Sequence, residues 1–192
     1  MEQSFKHDFL ISEYQECFSQ MRHYDSNTNE ILKLCFTFYA GVITLALGVY
    51  QFIYQKNPND NISLFYISLI LFLSFIVGLI VAILVVSNRK YFVKVARQVN
   101  NIRNYYSKNI DDFENKLPVD NKSPKAYNTK SSQMIIILLL VLTNSLILFF
   151  ATYSMLRYLD SCLRFTFYFG FILSITYFLL NWFLIKKYLK ND

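Results

Sequence analysis

Charge is what this sequence lacks. Of its 192 residues only 17% are Asp, Glu, Lys or Arg, against about 25% in an average soluble domain. Glycine is scarce as well, with four residues, all inside apolar runs. The polar segments therefore cannot hold a glycine-rich phosphate loop. The three prolines (Pro58, Pro118, Pro124) lie outside those runs. The runs should thus form continuous helices, not the broken ones at which many transporters bind substrate. Cys17, Cys35 and Cys162 are odd in number and far apart, which argues against a disulfide framework. His7 and His23 have no partners at ligand spacing, so no metal site is expected. No Ser/His/Asp set or other catalytic constellation is visible, and neither an enzyme nor a bound cofactor is expected.

What is present is apolar: 54% of the chain, with 18% aromatic. The excess is concentrated in four runs, at about 34–54, 63–86, 134–155 and 165–185. Roughly 20 helical residues cross a hydrocarbon core about 30 Å thick, and each run meets that length. None contains an Asp, Glu, Lys, Arg or His; Lys33 and Arg164 stand only at span borders, where basic side chains reach headgroups. This excludes a soluble globular enzyme. The remaining segments are too short to bury a core of their own.

Sixteen of the nineteen Lys and Arg fall in the N-terminal segment, the long middle segment and the C-terminal tail. By the positive-inside bias both termini and the middle segment should be cytoplasmic. The expected fold is an all-α membrane protein of four transmembrane helices. It divides into a cytoplasmic amphipathic helix (1–30), a first transmembrane hairpin (31–87), a cytoplasmic basic helix and linker (88–133), a second hairpin (134–186) and a tail (187–192). Leu10, Tyr14, Cys17, Met21 and Tyr24 recur at helical spacing as one stripe. From Leu79 to Leu117 there is neither Gly nor Pro, so the second span should continue as a helix to about Asn109. That extension carries a second stripe: Phe92, Val95, Val99, Ile102, Tyr106. Residues 110–133, rich in Asn, Ser and Lys, read as a flexible linker.

The charge is polarised. Residues 1–30 carry six acids and two bases, whereas residues 88–133 carry ten bases and four acids. The acidic N-terminal helix should dock on the basic extension of span two.

Three sets of residues are candidates for function. Small residues recur at helical spacing in span two (Ser74, Gly78, Ala82), span four (Thr166, Gly170, Ser174) and span one (Gly41, Gly48). They suit close helix packing, within one subunit or between subunits. Thr143 and Asn144 lie near the middle of span three. Asn144 should make an interhelical hydrogen bond or contribute to a polar ring formed by symmetric copies. Lys90, Lys94, Arg97 and Arg103 on the span-two extension could present donors to phosphates, with aromatic neighbours to stack bases. The same basic residues would also attract anionic lipid.

Arg22-His23-Tyr24-Asp25 just before span one, the short hairpin, and then Arg89-Lys90-Tyr91, Ala96-Arg97, Asn100, Ile102-Arg103 and Tyr105 together resemble the SLATT-type membrane effectors of bacterial conflict systems. The likeness covers about residues 10–110, and spans three and four depart from that family's two-span plan. In overall plan the chain also resembles small four-span effectors of nucleotide-controlled anti-phage defence. The resemblance implies a pore former of the bacterial inner membrane that is gated by a nucleotide. The ligand would be a cyclic nucleotide or a short single-stranded DNA from a partner nucleotidyltransferase. Arg22, with Tyr24 beside it, is then a candidate gate, and Arg97 and Arg103 are candidate ligand positions. One four-helix bundle has a filled core, so a pore requires a homo-oligomer, for which a tetramer is the expectation. The competing expectation is a non-conducting scaffold that recruits a cytoplasmic partner.

Overall fold

The computed structural model describes residues 2–56, 61–109 and 124–190. Four helices account for nearly all of them: α1 (Glu2–Lys56), α2 (Ile62–Asn109), α3 (Ser132–Tyr158) and α4 (Leu163–Lys190). No strand occurs among the described residues. Each helix is long and apolar enough to cross a membrane. Of the turn expected over 55–61, Gln55 and Lys56 belong to α1, and residues 57–60 lie outside the described residues, as does most of the expected linker, 110–123.

α1 and α2 are far longer than a membrane requires. At 1.5 Å per residue, the 55 residues of α1 extend about 80 Å and the 48 of α2 about 70 Å. About half of each must stand clear of a hydrocarbon core about 30 Å thick. These halves form a polar arm. The amphipathic segment expected over 1–30 and span one are one continuous helix from Glu2. No Gly or Pro interrupts residues 2–40, and the Thr28 hydroxyl donates 2.8 Å to the Tyr24 carbonyl one turn back instead of capping a new helix. The tail is not separate either, since α4 continues to Lys190 and buries Ile185 and Leu189.

α1 packs on α2, α2 on α3, and α3 on α4. α3 is the central helix: Met134, Ile137, Leu140, Val141 and Ala151 are all within 1% of full burial. Asn61, just before α2, and the α3–α4 turn lie together at one end, where Asn61 Nδ2 donates to Asp160 Oδ1 at 3.2 Å. The α3–α4 turn closes with two bonds back into α3, Ser161 N to Leu156 O and Asp160 N to Arg157 O. This pattern needs a left-handed residue between helix and turn, and Asp160 supplies it with φ 54°. The polar arm and the far end of α4 share the opposite end, so the Lys- and Arg-rich stretches are grouped on one side.

Residues 124–131 are not a loose connector. Ala126 is buried in the core, and Tyr127 meets Trp182 edge to face at 5.9 Å. Asn128 accepts hydrogen bonds from the Lys130 and Ser131 amides, a turn that aims the chain into α3. Apolar Ala126 and Tyr127 decide this, against the polar composition around them.

Candidate functional site

Two polar crossings tie the helices together, one deep in the spans and one where the spans meet the arm. The deep crossing is built around Gly78. A methyl group there would overlap Tyr39 Oη and Asn144 Oδ1. The bare backbone admits both groups. Tyr39 Oη donates to Asn144 Oδ1 at 3.3 Å. Asn144 Nδ2 donates to Tyr177 Oη at 3.0 Å and to the Phe75 carbonyl at 3.4 Å. Phe75 meets the Tyr177 ring edge to face at 5.0 Å. One amide with 0% exposure thus links α1, α2, α3 and α4. In hydrocarbon an unmet amide costs several kcal/mol, so satisfying it inside the chain fixes helix register.

The second crossing is centred on Arg89, which is only 8% exposed. Its Nε donates to the Ala126 carbonyl at 3.3 Å, and a terminal nitrogen donates to Gln133 Oε1 at 2.7 Å. Gln133 Nε2 in turn donates to Asp25 Oδ1 at 2.8 Å. The amide relays between a buried cation on α2 and an exposed anion on α1, and the 124–131 segment meets the cation through the Ala126 carbonyl. Burial lowers the Arg89 pKa from the ordinary arginine value. The guanidinium still stays charged, because arginine is not deprotonated in proteins. Beside it, the buried Asn88 Nδ2 has no hydrogen-bond partner among the described residues.

The arm is held by mixed contacts. Val93, Ala96, Val99 and Ile102 form the buried edge of α2 there, with Cys17 buried on α1. The edge runs through Val93 rather than the expected Val95, which is half-buried. Tyr24 stacks on Tyr91 at 5.9 Å and 15°. Glu13 accepts from Gln98 Nε2, and Tyr106 Oη lies 3.2 Å from His7 Nδ1. Burial, and then the neighbouring Glu13 carboxylate, raise the Cys17 thiol pKa. The acidic helix therefore does lie along the basic one, and Glu13 meets it through an amide.

The four expected ligand residues do not converge. Lys90 Nζ lies 4.4 Å from the Tyr188 ring centre, toward α4. Lys94 is exposed, 5.7 Å from the Tyr91 ring. Arg97 Nε donates 3.2 Å to the Pro124 carbonyl. Arg103 is occupied by α1: its Nε donates 3.2 Å to Tyr14 Oη, and the guanidinium lies over Tyr14 and Phe18. Of the two gate candidates, Tyr24 sits in the arm contact and Arg22 is exposed.

The small residues divide in two. Ser74, Gly78 and Ala82 are buried, with Gly78 against α1 and α3; Thr166, Gly170 and Ser174 are buried as well, with Gly170 facing Thr152 and Phe149 of α3. Gly41 and Gly48 face open space. Thr143 and Asn144 also part company. The Thr143 hydroxyl donates to the Leu139 carbonyl one turn back in its own helix at 2.9 Å, on a different face from Asn144. Ser74, Ser145, Thr152, Thr166 and Ser174 satisfy their hydroxyls in the same way. No group of three or more His, Cys, Asp or Glu able to hold a metal occurs among the described residues.

Sequence reasoning missed Tyr39, Tyr177, Gln133 and Asp25 as partners. Each is an ordinary residue at a span or border position, and only the helix register brings it to Asn144 or Arg89. The one available signal was Arg89 itself, a base within three residues of a span end.

The chain is thus an all-helical protein with four helices able to span a membrane and a polar arm grown from two of them. No family model matches it, and neither a curated protein nor a solved structure is detectably similar to it.

Proposed function

We propose that this protein is a membrane effector whose polar arm controls the permeability of the bacterial inner membrane, as a homo-oligomer of four-helix subunits. The observation that carries the reading is the continuity of α1 and α2 from the arm into the spans. A helix without a break transmits a tilt or rotation of one half to the other. A ligand that binds the arm differently in two arrangements shifts the balance between them. The fitting ligand is a nucleotide or short oligonucleotide on the outward side of α2, with Lys94 and Arg97 as phosphate contacts and Lys90 beside them. Arg103 serves the arm contact. Because Asn144 is satisfied inside its own subunit, conduction runs between subunits.

The test is membrane potential. Cells expressing the protein should depolarise, in a potential-sensitive dye assay, when a cyclic nucleotide or short DNA is supplied or when residues 1–24 are deleted. If neither condition ever depolarises them, the pore reading fails. A second reading, a non-conducting scaffold that recruits a cytoplasmic partner through the arm, is favoured by one observation: the deep polar groups turn inward. A stable monomer in size-exclusion chromatography of detergent-solubilised protein supports the scaffold, and a symmetric oligomer supports the pore.

A further inference from the structure

Cavities lie along the flank between α1 and α3. α1 and α3 run in the same direction and are bridged by hydrogen bonds at two levels, Asp25–Gln133 and Tyr39–Asn144. Along the same flank lie two cavities. The first, of about 390 Å³, is at the polar end between Asn29, Leu32, Lys33 and Phe36 of α1 and Ile136 and Leu139 of α3. The second, of about 550 Å³, begins one turn deeper. Its walls include Ile43 and Leu47 of α1 and Leu146 and Phe150 of α3, and Ile67 and Leu71 of α2 form its floor. The deeper cavity is almost wholly apolar, while the shallower one counts the exposed Lys33 and Asn29 among its lining residues.

We propose that this groove binds one phospholipid per chain, with an acyl chain between α1 and α3 and the headgroup phosphate at Lys33 and Asn29. The chemistry is ordered along the groove as it is along a lipid. Lys33 stands at the border of the first apolar run, the depth at which a phosphodiester lies. From Lys33 to Ala46 along α1 is about 20 Å, enough for one chain to pass through its own leaflet, about half of a 30 Å core. The Thr143 hydroxyl in the wall is already bonded to Leu139, so it presents its methyl side without an unmet donor. The inference goes beyond the proposed function and holds whether or not the protein conducts.

Native mass spectrometry of the detergent-purified full chain tests it, with phosphatidylglycerol and phosphatidylethanolamine as added probes. The wild type should keep one phospholipid per chain at energies that strip detergent. Thr143→Phe, which fills the groove, should lose it. Leu47→Phe, on an exposed part of the wall, should lose it even if Thr143→Phe folds poorly. Lys33→Gln should weaken retention about fivefold, the effect of about 1 kcal/mol per juxtamembrane lysine. Retention of no lipid by the wild type overturns the proposal, as does unchanged retention in both filled variants. A Leu47→Cys variant in a Cys162→Ser background adds a third outcome: if it forms a disulfide-linked dimer in native membranes, a second copy occupies the groove instead.

Discussion

The two polar crossings solve different problems. At the deep one, Asn144 is neutral, wholly buried and bonded to two tyrosines and a carbonyl, on all four helices. At the arm junction, Arg89 and Asp25 are charged and joined only through the neutral Gln133. Depth accounts for the difference. Near the middle of a bilayer a charge is expensive, so helix register is set there by an amide and hydroxyls. At the headgroup level water and lipid phosphate compete, so charges are tolerated. A relay amide there can hold two opposite charges apart and still link them. The deep crossing fixes how the helices sit, and the junction fixes whether the arm and the 124–131 segment stay docked.

The comparison can be broken most forcefully at Gly78. Gly78→Leu should destabilise the fold by about 3 kcal/mol, because it overpacks the crossing and expels both Tyr39 and Asn144. Thermal unfolding in detergent reads this as loss of the whole cooperative transition. Gln133→Leu should cost about 2 kcal/mol by stranding partners of two charged groups. Its effect should be local: trypsin should cut the arm and the 124–131 segment faster while the spans remain protected. If the spans open equally, the two crossings are one unit. Asn144→Leu should cost only about 1 kcal/mol, since hydrogen bonds between helices in lipid contribute modestly and the denatured chain finds partners too. A much larger loss would make the deep crossing a folding centre rather than a register device. The smallest effect belongs outside both crossings. Gly41→Ala and Gly48→Ala meet nothing within 4 Å in the subunit and should each add about 0.5 kcal/mol through helix propensity. A loss of stability or of oligomer in those variants would mark that face as a contact between copies.

α3 and α4 show why part of this was illegible in the sequence. Both are nearly continuous apolar helices of similar length, 27 and 28 residues. Yet α3 buries ten residues and α4 five, with Phe165, Phe169, Ile172 and Leu180 of α4 turned outward. Hydrophobic pattern cannot rank them, because lipid is as apolar as a protein core. Spacing of small residues came closer. It picked out Ser74-Gly78-Ala82 and Thr166-Gly170-Ser174, which are buried, and also Gly41 and Gly48, which are open, with nothing local to separate the two cases. The basic residues of α2 were legible as a set but not as a site. Lys90, Lys94 and Arg97 recur every three or four residues and share one side of α2, but Lys90 turns to Tyr188 of α4 and Arg97 to the Pro124 carbonyl, while Arg103 lies on the other side against Tyr14 of α1.

The sequence by itself determined the four span-length apolar helices and the extension of the second, because hydrocarbon imposes a length and forbids charge, and both rules act on local sequence. It also determined the absence of breaks, since no Pro falls within any of the four helices. Only the tertiary structure decided that α3 is central, that Gly78 admits Asn144, that Gln133 joins Arg89 to Asp25, and that residues 124–131 are docked. Those outcomes depend on the register and rotation of packed helices, which contacts set between residues 27 to 108 positions apart and which no local pattern encodes.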